Sequence, residues 1–393
     1  MLTLGIESSC DDTSVALVES SDRGHVVISE KTASQIDIHK KYGGVVPEIA
    51  GRMHAEKIVP LVEEVLNSPS PLESPLGQGG KNRPDVIAVT AGPGLITGLV
   101  VGVEAARTLS YAWNIPLVAV NHIEGHVHSV EITNSKFQIS NNPQNSNHQK
   151  YPTSNIQYPA LALIVSGGHT ELIYIKKQGS YKVIGKTKDD AAGECFDKVA
   201  KLLDLPYPGG PQISQLALKG NPQAINFPRP MINEKIDFSS ENEPAFGWSF
   251  SGLKTSALYW LRDHKLAAMH LNHIRLPAGF FAQMPEPPTL EDFCASFEQA
   301  IIDVLVAKTL KAAEEYKPKT VILGGGVSAN VKLRSTLETA LNANLKISNF
   351  LFPMNTYCMD NAAMIATAGY YKAVKKEFAD WRTIKADPNW EIE

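Results

Sequence analysis

The sequence lacks a long apolar run. Its longest apolar stretch, around GLITGLVVGVEAA, is rich in glycine and stops at Glu104 and Arg107, whereas a membrane-spanning helix needs about 20 predominantly apolar residues. The first residues also lack a basic segment followed by a long apolar one, so we expect no signal peptide. Both absences predict a cytoplasmic protein without a membrane partner.

Cysteine is scarce, and the few cysteines are scattered. The four, Cys10, Cys195, Cys294 and Cys358, form no C-x-x-C pair and no spacing typical of a disulfide scaffold. This pattern indicates a reducing compartment, where cysteines serve as small core residues or loop thiols.

An excess of positive charge is also missing. The 393 residues carry 41 Asp and Glu against 37 Lys and Arg, a formal net charge of −4. A nucleic-acid partner therefore requires a local basic patch. HKKYGG near His39 and YYKAVKKEF (Tyr370 to Phe378) are the candidates, although a lysine-bearing helix face is more often simply solvated.

Two segments contain too little apolar surface to form a core. Asn67 to Pro84 is rich in Pro, Gly and Ser, and Thr133 to Pro159 is rich in Asn, Gln and Ser. Burial in neither segment can offset the entropy of ordering, so we predict linkers or surface insertions. A third irregular stretch, His273 to Asp292, is apolar enough to form an ordered loop.

The two halves of the chain repeat one order of features. The first opens with LTLGIESSCDDTSVALVES and the second with ALALIVSGGHTELIYIK, each a strand, a tip and a returning strand. Each half later contains a strand, a glycine loop, a helix and another strand. This repetition indicates an internal duplication, so we predict two similar α/β lobes that face each other across a central cleft.

The duplication also predicts the domain boundaries and the fold. Residues 1–131 form the first lobe, 132–158 a disordered or surface insertion and 159–393 the second lobe, with a helical insertion at about 190–300. The pattern leaves open whether the C-terminal helix returns to the first lobe. This organisation matches the duplicated actin-like ATPase and sugar-kinase (ASKHA) fold, in which Gly and Ser at the hairpin tips let backbone N–H groups approach phosphates.

A pair of histidines in VAVNHIEGHVHS is a candidate for part of a metal site. His122 and His126 are four residues apart and share a helix face. Ile123 stands where the zinc-protease signature H-E-x-x-H requires Glu, which removes that mechanism. Two ligands are too few for a metal, and taken alone the pair is more often two ordinary histidines.

The duplication indicates a third ligand. The position in the second half that corresponds to the histidine pair holds Asp360, at the head of an apolar helix. Asp360 is either an N-cap, a common use of Asp at a helix start, or a ligand that meets the histidines across the cleft floor. Two His and one carboxylate with open positions suit iron or zinc.

Nine ordered motifs cover nearly the whole chain: LGIESSCDDTSVALV, HKKYGGVVPEIAGRMH, TAGPGLITGLVVG, NHIEGH, LIVSGGHTEL, DDAAGECFDKVAKLLDLPYPGGP, FSGLKTSAL, GGGVSAN and MDNAAMIA. Together they closely resemble the bacterial tRNA N6-adenosine threonylcarbamoyltransferases. The resemblance implies transfer of the threonylcarbamoyl group from threonylcarbamoyl-adenylate to N6 of the adenosine 3′ of the anticodon, in tRNAs that read codons starting with A.

The resemblance also implies roles for individual residues. One divalent metal, with iron favoured over zinc, is expected on His122, His126 and Asp360. Asp11 stands where the family has a carboxylate beside the reacting group. The positions implied for the adenylate, or for an adenine nucleotide, are Ile164, Val165, Ser166, Gly167, Gly168, Asp197, Gly210 and Asn330.

Several side chains in these motifs keep an alternative interpretation. Asp197 either binds ribose hydroxyls or forms a salt bridge to a neighbouring lysine, Lys198 or Lys201. Lys254 is interpreted in two ways, as a contact to a phosphate or to tRNA, or as a solvated surface lysine. Asp12 departs from the family, which commonly has Glu there, and the departure matters only if this carboxylate touches the substrate. His54 and His169 are expected to be structural.

The resemblance implies partners as well: tRNA, an inactive paralogue that serves as a scaffold, a small P-loop ATPase and a separate synthase that makes the adenylate. Two other readings stay open. One is that this chain is itself the non-catalytic scaffold, and the other is a kinase or ATPase of the same fold. A kinase relies on Mg²⁺ held by carboxylates and water and needs no histidine pair.

Overall fold

The computed structural model describes residues 1–22, 24–68, 83–134, 156–234, 244–264, 288–345, 347 and 349–393. Most of the three irregular stretches, 67–84, 133–159 and 273–292, lies outside the described residues, so the surface placement of the first two and the ordered loop of the third stay predictions. None of the described helices is both long and apolar enough to cross a membrane.

The first half builds a six-stranded sheet in the order β5-β4-β1-β2-β3-β6. Strands β1, β2 and β3 form an antiparallel meander, β4 lies parallel to β1 and to β5, and β6 lies parallel to β3. The strands are β1 (Leu2–Glu7), β2 (Asp12–Ser21), β3 (Gly24–Ser34), β4 (Val86–Gly92), β5 (Leu117–Asn121) and β6 (Ile132–Asn134).

The second half builds another six-stranded sheet, in the order β10-β9-β8-β7-β11-β12. Strands β7, β8 and β9 form the antiparallel meander, β11 lies parallel to β7 and to β12, and β10 lies parallel to β9. The strands are β7 (Ala160–Val165), β8 (Thr170–Lys177), β9 (Ser180–Thr187), β10 (Phe246–Trp248), β11 (Thr320–Gly324) and β12 (Phe350–Leu351). The two pairing patterns agree strand for strand, which confirms the predicted duplication.

Helices cover both sheets. Those that follow strands of the first sheet are α1 (Ile36–His39), α2 (Pro47–Asn67), α3 (Ile96–Trp113) and α4 (His122–His128). Those that follow strands of the second are α5 (Ala192–Leu202), α6 (Gly209–Ala217), α7 (Ser251–His264), α8 (Leu290–Tyr316), α9 (Val331–Leu345) and α10 (Ala362–Val374). Helices α5 to α8 all fall between β9 and β11 and pack into one large apolar core with the second sheet.

Two helices cross from one half to the other. Ile123 and Val127 of α4 pack with apolar residues of β7 and β11, whereas the apolar residues of α10 pack with those of β2, β4 and β5. The contact with the first sheet is close: a Cβ at Gly5 would overlap the Ala362 carbonyl oxygen, and a Cβ at Gly369 would overlap Ala88. The C-terminal helix therefore packs on the first lobe, and the N-termini of α4 and α10 meet between the lobes.

Glu30 of β3 lies against the N-terminus of α10. The Ala363 N–H donates to its carboxylate, while Oε1 is buried and has no hydrogen-bond partner among the described residues. Burial is the main cause that raises the pKa of Glu30, to about 7. The folded protein therefore holds a proton on Glu30 that the unfolded chain releases.

We expect the free energy of unfolding to fall as the pH rises from the ordinary glutamate pKa towards about 7, because the unfolded state then binds fewer protons than the folded state. Glu30→Gln should stabilise the protein at about pH 8, by up to about 3 kcal/mol, and much less at about pH 5. Urea unfolding at both pH values measures this difference. Glu19→Gln, on the exposed side of β2, is the control, and an equal effect of both substitutions would contradict the assignment.

Candidate active site

Helix α4 presents the histidine pair. Its N-terminus is capped by the Asn121 side chain, which accepts a hydrogen bond from the Ile123 N–H at 2.9 Å. The His122 and His126 rings lie with their centroids 4.6 Å apart, which confirms that the spacing places both on one face. Glu124 faces away from them, because its carboxylate accepts a hydrogen bond from Tyr181 and pairs with Lys372.

Asp360 reaches both imidazoles from the other half of the chain. Its Oδ1 lies 3.4 Å from His122 Nε2 and 3.3 Å from His126 Nε2. The interpretation of Asp360 as an N-cap is wrong, because Asn361 caps α10 by accepting from the Met364 N–H. The Asp360 carboxylate is therefore available to the histidines, as the duplication predicted.

These three side chains fit a metal ion. One ligand atom from each lies within 4.8 Å of the others. Both ring nitrogens of His126 are buried and lack a hydrogen-bond partner among the described residues, and a buried imidazole without a partner is costly unless something else satisfies it. Two imidazoles and one carboxylate with open positions are a donor set for iron or zinc.

The carboxylates around His122 control its charge. Burial alone would lower the pKa of His122, but Asp360 and Glu7 raise it to about 10. Burial alone would raise the pKa of Asp360, but the charge on His122 and the hydrogen bond from His122 lower it. Without a metal the site thus holds an imidazolium between two carboxylates, and metal binding must displace a proton.

Glu7 is the residue of this site that sequence analysis missed. It ends β1, is fully buried, and its Oε2 lies 3.1 Å from His122 Nδ1. Burial alone would raise its pKa, yet the charge and hydrogen bond of His122 lower it. The available signal was a glutamate inside a strand whose other residues are mostly apolar, directly before the polar tip SSCDD.

The tip between β1 and β2 places two more carboxyls nearby. Burial, followed by the charge on Asp360, raises the pKa of Asp11. Asp12 is buried, its Oδ1 has no hydrogen-bond partner among the described residues, and burial raises its pKa to about 7. Asp12 also bonds to the Ser34 side chain, and the charges of Asp11 and Asp360 contribute to its raised pKa, so its carboxyl lies between β3 and the site.

The end of β7 and the tip between β7 and β8 contain five of the eight positions expected for the adenylate. Ile164 and Val165 are fully buried in β7, so only their backbone can serve a ligand. Ser166 stiffens the turn, since its Oγ accepts from the His169 N–H and its N–H donates to the His169 carbonyl. Gly167 and Gly168 are exposed, and no atom of the described residues lies near the place of a Cβ on either, which leaves room for a phosphate.

Asp197 and Gly210 are joined by a hydrogen bond. Asp197 Oδ1 accepts from the Gly209 N–H at 2.7 Å, and the Gly210 N–H also donates to this carboxylate. Burial raises the pKa of Asp197. Neither predicted lysine salt bridge forms among the described residues, because Lys198 instead pairs with Asp190 and Glu194. The structure thus brings Asp197 and Gly210 together at the start of α6.

Asn330 stands at the start of α9 with most of its amide already used. Its Nδ2 donates to Ser214 Oγ at 3.0 Å and to Glu298 Oε1 at 2.7 Å. Its Oδ1 accepts from the Leu333 N–H. Both donor hydrogens are therefore occupied, and one lone pair on Oδ1 is left for a ligand.

The comparisons with known proteins identify the family. The model of a family described as "TsaD: tRNA N6-adenosine threonylcarbamoyltransferase" matches residues 26–143 and 144–367. The chain belongs to this family. A Bacillus subtilis (strain 168) tRNA N6-adenosine threonylcarbamoyltransferase is 43% identical over 369 residues, 94% of this chain and 90% of the relative. The Halalkalibacterium halodurans protein of the same name is 40% identical over 395 residues, 100% of this chain and 96% of the relative.

A solved structure has a fold similar to that of this chain. The crystal structure of T. kodakarensis HypF superposes with a TM-score of 0.50 at 13% sequence identity, over 96% of this chain and 48% of that one. A likeness at this identity concerns the fold alone. With the two equivalent sheets and the family match, the predicted duplicated actin-like fold is confirmed.

Three further side chains of the TsaD-family motifs have defined surroundings. Both ring nitrogens of His54 are bonded, to Thr13 Oγ1 and to the Cys10 carbonyl, which confirms a structural role. Lys254 Nζ lies 2.6 Å from Asp190, so it is held by the protein. The ring centroid of His169 lies 6.3 Å from that of His122, so His169 borders the group of His122, His126 and Asp360.

Removing one imidazole should abolish tight metal binding. We expect His126→Ala to bind Zn²⁺ at least about 100-fold more weakly than the unaltered protein, since the loss of a supporting contact alone costs 10–100-fold. Isothermal titration with Zn²⁺ measures the affinity. His128→Ala is the matched control, because His128 lies on the same helix but bonds to Glu131 and Tyr181; equal losses in both variants would rule out the His122, His126 and Asp360 site.

Proposed function

We propose that this protein transfers the threonylcarbamoyl group of threonylcarbamoyl-adenylate to N6 of the adenosine 3′ of the anticodon, in tRNAs that read codons starting with A. The observation that carries the proposal is the full-length match to the TsaD family. The assembled His122, His126 and Asp360 group supports it, because a scaffold paralogue has no use for a complete ligand set.

In this transfer the protein mainly has to position the two substrates, because the donor is already activated. The N6 amine is a poor nucleophile whose lone pair is delocalised into the ring, whereas the mixed carbamic–phosphoric anhydride of the donor is strongly activated. The protein must hold donor and acceptor together, stabilise charge on the carbonyl oxygen and accept one proton. Asp11 is the proposed acceptor, because the raised pKa that burial and Asp360 give it makes its carboxylate a better base than an ordinary aspartate.

The second lobe holds the donor in this proposal. The exposed backbone of Gly167 and Gly168 receives the phosphate, as glycine tips do in phosphate sites. Asp197 is proposed to act on the ribose while it also fixes the Gly209 and Gly210 turn. Asn330 contributes its remaining lone pair, and its amide mainly fixes the start of α9.

Iron is the proposed metal, with zinc as the alternative. His122, His126 and Asp360 would hold it through Nε2, Nε2 and a carboxylate oxygen. A bound divalent ion supplies a Lewis acid that polarises a carbonyl or phosphoryl oxygen of the donor. The proposed partners are tRNA, an inactive scaffold paralogue, a small P-loop ATPase and a synthase for the adenylate, and the proposed location is the cytoplasm, where tRNA is modified.

A transfer assay tests the function. Purified protein, alone and with the proposed partners, receives threonylcarbamoyl-adenylate and unmodified tRNA, and mass spectrometry of nucleosides measures the product. We expect Asp360→Ala to lower the rate by about 100-fold or more, since a bound metal contributes several kcal/mol to the transition state. Asp22→Ala, in the exposed turn at the far end of β2, should be unaffected. No product with all partners present would favour the scaffold reading.

The loop after α1 is the better of the two candidate tRNA contacts. Lys40 and Lys41 are exposed and form no ion pair with any described residue, and Tyr42 is 56% exposed. The loop also reaches the second lobe, since a Cβ at Gly43 would lie 3.2 Å from Lys201 Nζ. In the C-terminal candidate, by contrast, Lys372 pairs with a buried glutamate. Exposed lysines beside an exposed aromatic ring are typical of nucleic-acid contacts.

We expect Lys40→Ala/Lys41→Ala to weaken tRNA binding several-fold and to reduce the salt dependence of log K by about 1 to 2. Filter binding at several salt concentrations measures both quantities. Lys176→Ala/Lys177→Ala is a control of equal charge, because these neighbouring lysines are also exposed but lie at the end of β8. A similar loss in the two double variants would show that only net charge matters.

A further inference from the structure

Glu7 is held in an unusual way for a glutamate. It is the last residue of β1, between β4 and β2 in the first sheet, and its side chain is fully buried. Oε1 accepts from the Ser9 N–H at 2.6 Å. Oε2 accepts from Thr90 Oγ1 at 2.6 Å and lies 3.1 Å from His122 Nδ1.

The ion pair with His122 stabilises the buried Glu7 carboxylate. Among the described residues the only ion pair of Glu7 is the one with His122, and a buried carboxylate is costly unless it is paired and hydrogen-bonded. A carboxylate only accepts hydrogen bonds, so Nδ1 of His122 must carry the hydrogen. Nε2 of the same ring then faces Asp360, 3.4 Å away, with the lone pair that a metal requires once its proton is displaced.

We propose that Glu7 is a positioning residue, which fixes the His122 ring with hydrogen on Nδ1 and so presents Nε2 to the metal. The inference rests on the metal site of the proposed function. Ser9 adds a second contact, because its Oγ lies 3.1 Å from the same Nδ1. His126 has no such support, since its Nδ1 lacks a partner among the described residues, so of the two histidines Glu7 positions His122 alone.

Glutamine cannot replace Glu7, although it has the same shape. With its amide nitrogen beside His122, the amide donates and favours the tautomer with hydrogen on Nε2, which blocks the ligand atom. With the amide turned round, its nitrogen meets the Ser9 N–H, which is itself a donor and cannot rotate. Both oxygen positions need an acceptor, and only a carboxylate supplies two.

Metal affinity and the His122 tautomer test the proposal without tRNA or donor, so a failure of the transfer reaction leaves this result unaffected. We expect Glu7→Gln to bind Zn²⁺ about 10–100-fold more weakly, as is typical when the support of a ligating histidine is lost. Titration against a competing chelator measures the affinity, and thermal unfolding of the metal-free proteins measures any general loss of stability.

Glu124→Gln is the matched control. Glu124 is a buried carboxylate on the same helix as His122, but it bonds to Tyr181 and Lys372, so its substitution should leave Zn²⁺ affinity unchanged. If the Glu7→Gln protein binds Zn²⁺ no more weakly than the Glu124→Gln protein, the proposal is overturned. This holds whether both variants keep the affinity of the unaltered protein or both lose it.

The second measurement needs no variant, so it holds even if Glu7→Gln fails to fold. In the zinc-loaded, ¹⁵N-labelled protein, long-range ¹H–¹⁵N spectra report which ring nitrogen of His122 carries hydrogen and which binds the metal. We expect hydrogen on Nδ1 and zinc on Nε2. Zinc on Nδ1, or hydrogen on Nε2, would show that Glu7 does not position the ring.

Discussion

The exchange of helices between the two lobes is the constraint on which the site depends. Helix α4 leaves the first sheet and packs on the second, and α10 leaves the second and packs on the first. Each helix thus brings its N-terminus to the boundary between lobes. Sliding α10 by one turn, about 5.4 Å, would separate Asp360 from both histidines. Gly5 and Gly369 let α10 pack closely on the first sheet, because a Cβ at Gly5 would overlap the Ala362 carbonyl oxygen and a Cβ at Gly369 would overlap the Ala88 side chain.

Charge balance explains why a site this buried is tolerated. Glu7 and Asp360 flank His122, and burial of an isolated carboxylate in such a place would be prohibitive. In the metal-free protein the two carboxylates instead stabilise the protonated His122 ring. A divalent ion can then take the place of the proton on this ring. Burial, followed by the charge on Asp360, raises the pKa of Asp11. The ligand set and the proposed base are therefore parts of one electrostatic unit.

The fold and the ligand triad were predictable from the sequence, because both follow from duplication: equivalent strands repeat in order, and equivalent helix starts face each other. Neighbouring contacts were harder to predict. Asp360 and Asn361 are both good caps, and only the backbone decides that Asn361 takes the role. The partner of Asn330 is Glu298 on α8, which no local pattern connects to it. Glu7 escaped notice because its partners, Thr90 and His122, come from β4 and α4.

The distribution of the site over both lobes has a consequence for catalysis. Asp11, His122 and His126 come from the first half of the chain, whereas Asp360 and the Ser166 to Gly168 turn come from the second. A metal bound as proposed by His122, His126 and Asp360 would therefore join the two lobes. Because the rate of a bimolecular transfer depends on the distance between the reacting groups, such a link would set how a donor on the second lobe faces the proposed base on the first. The three proposed ligands would then affect the relative position of the two lobes as well as the metal itself.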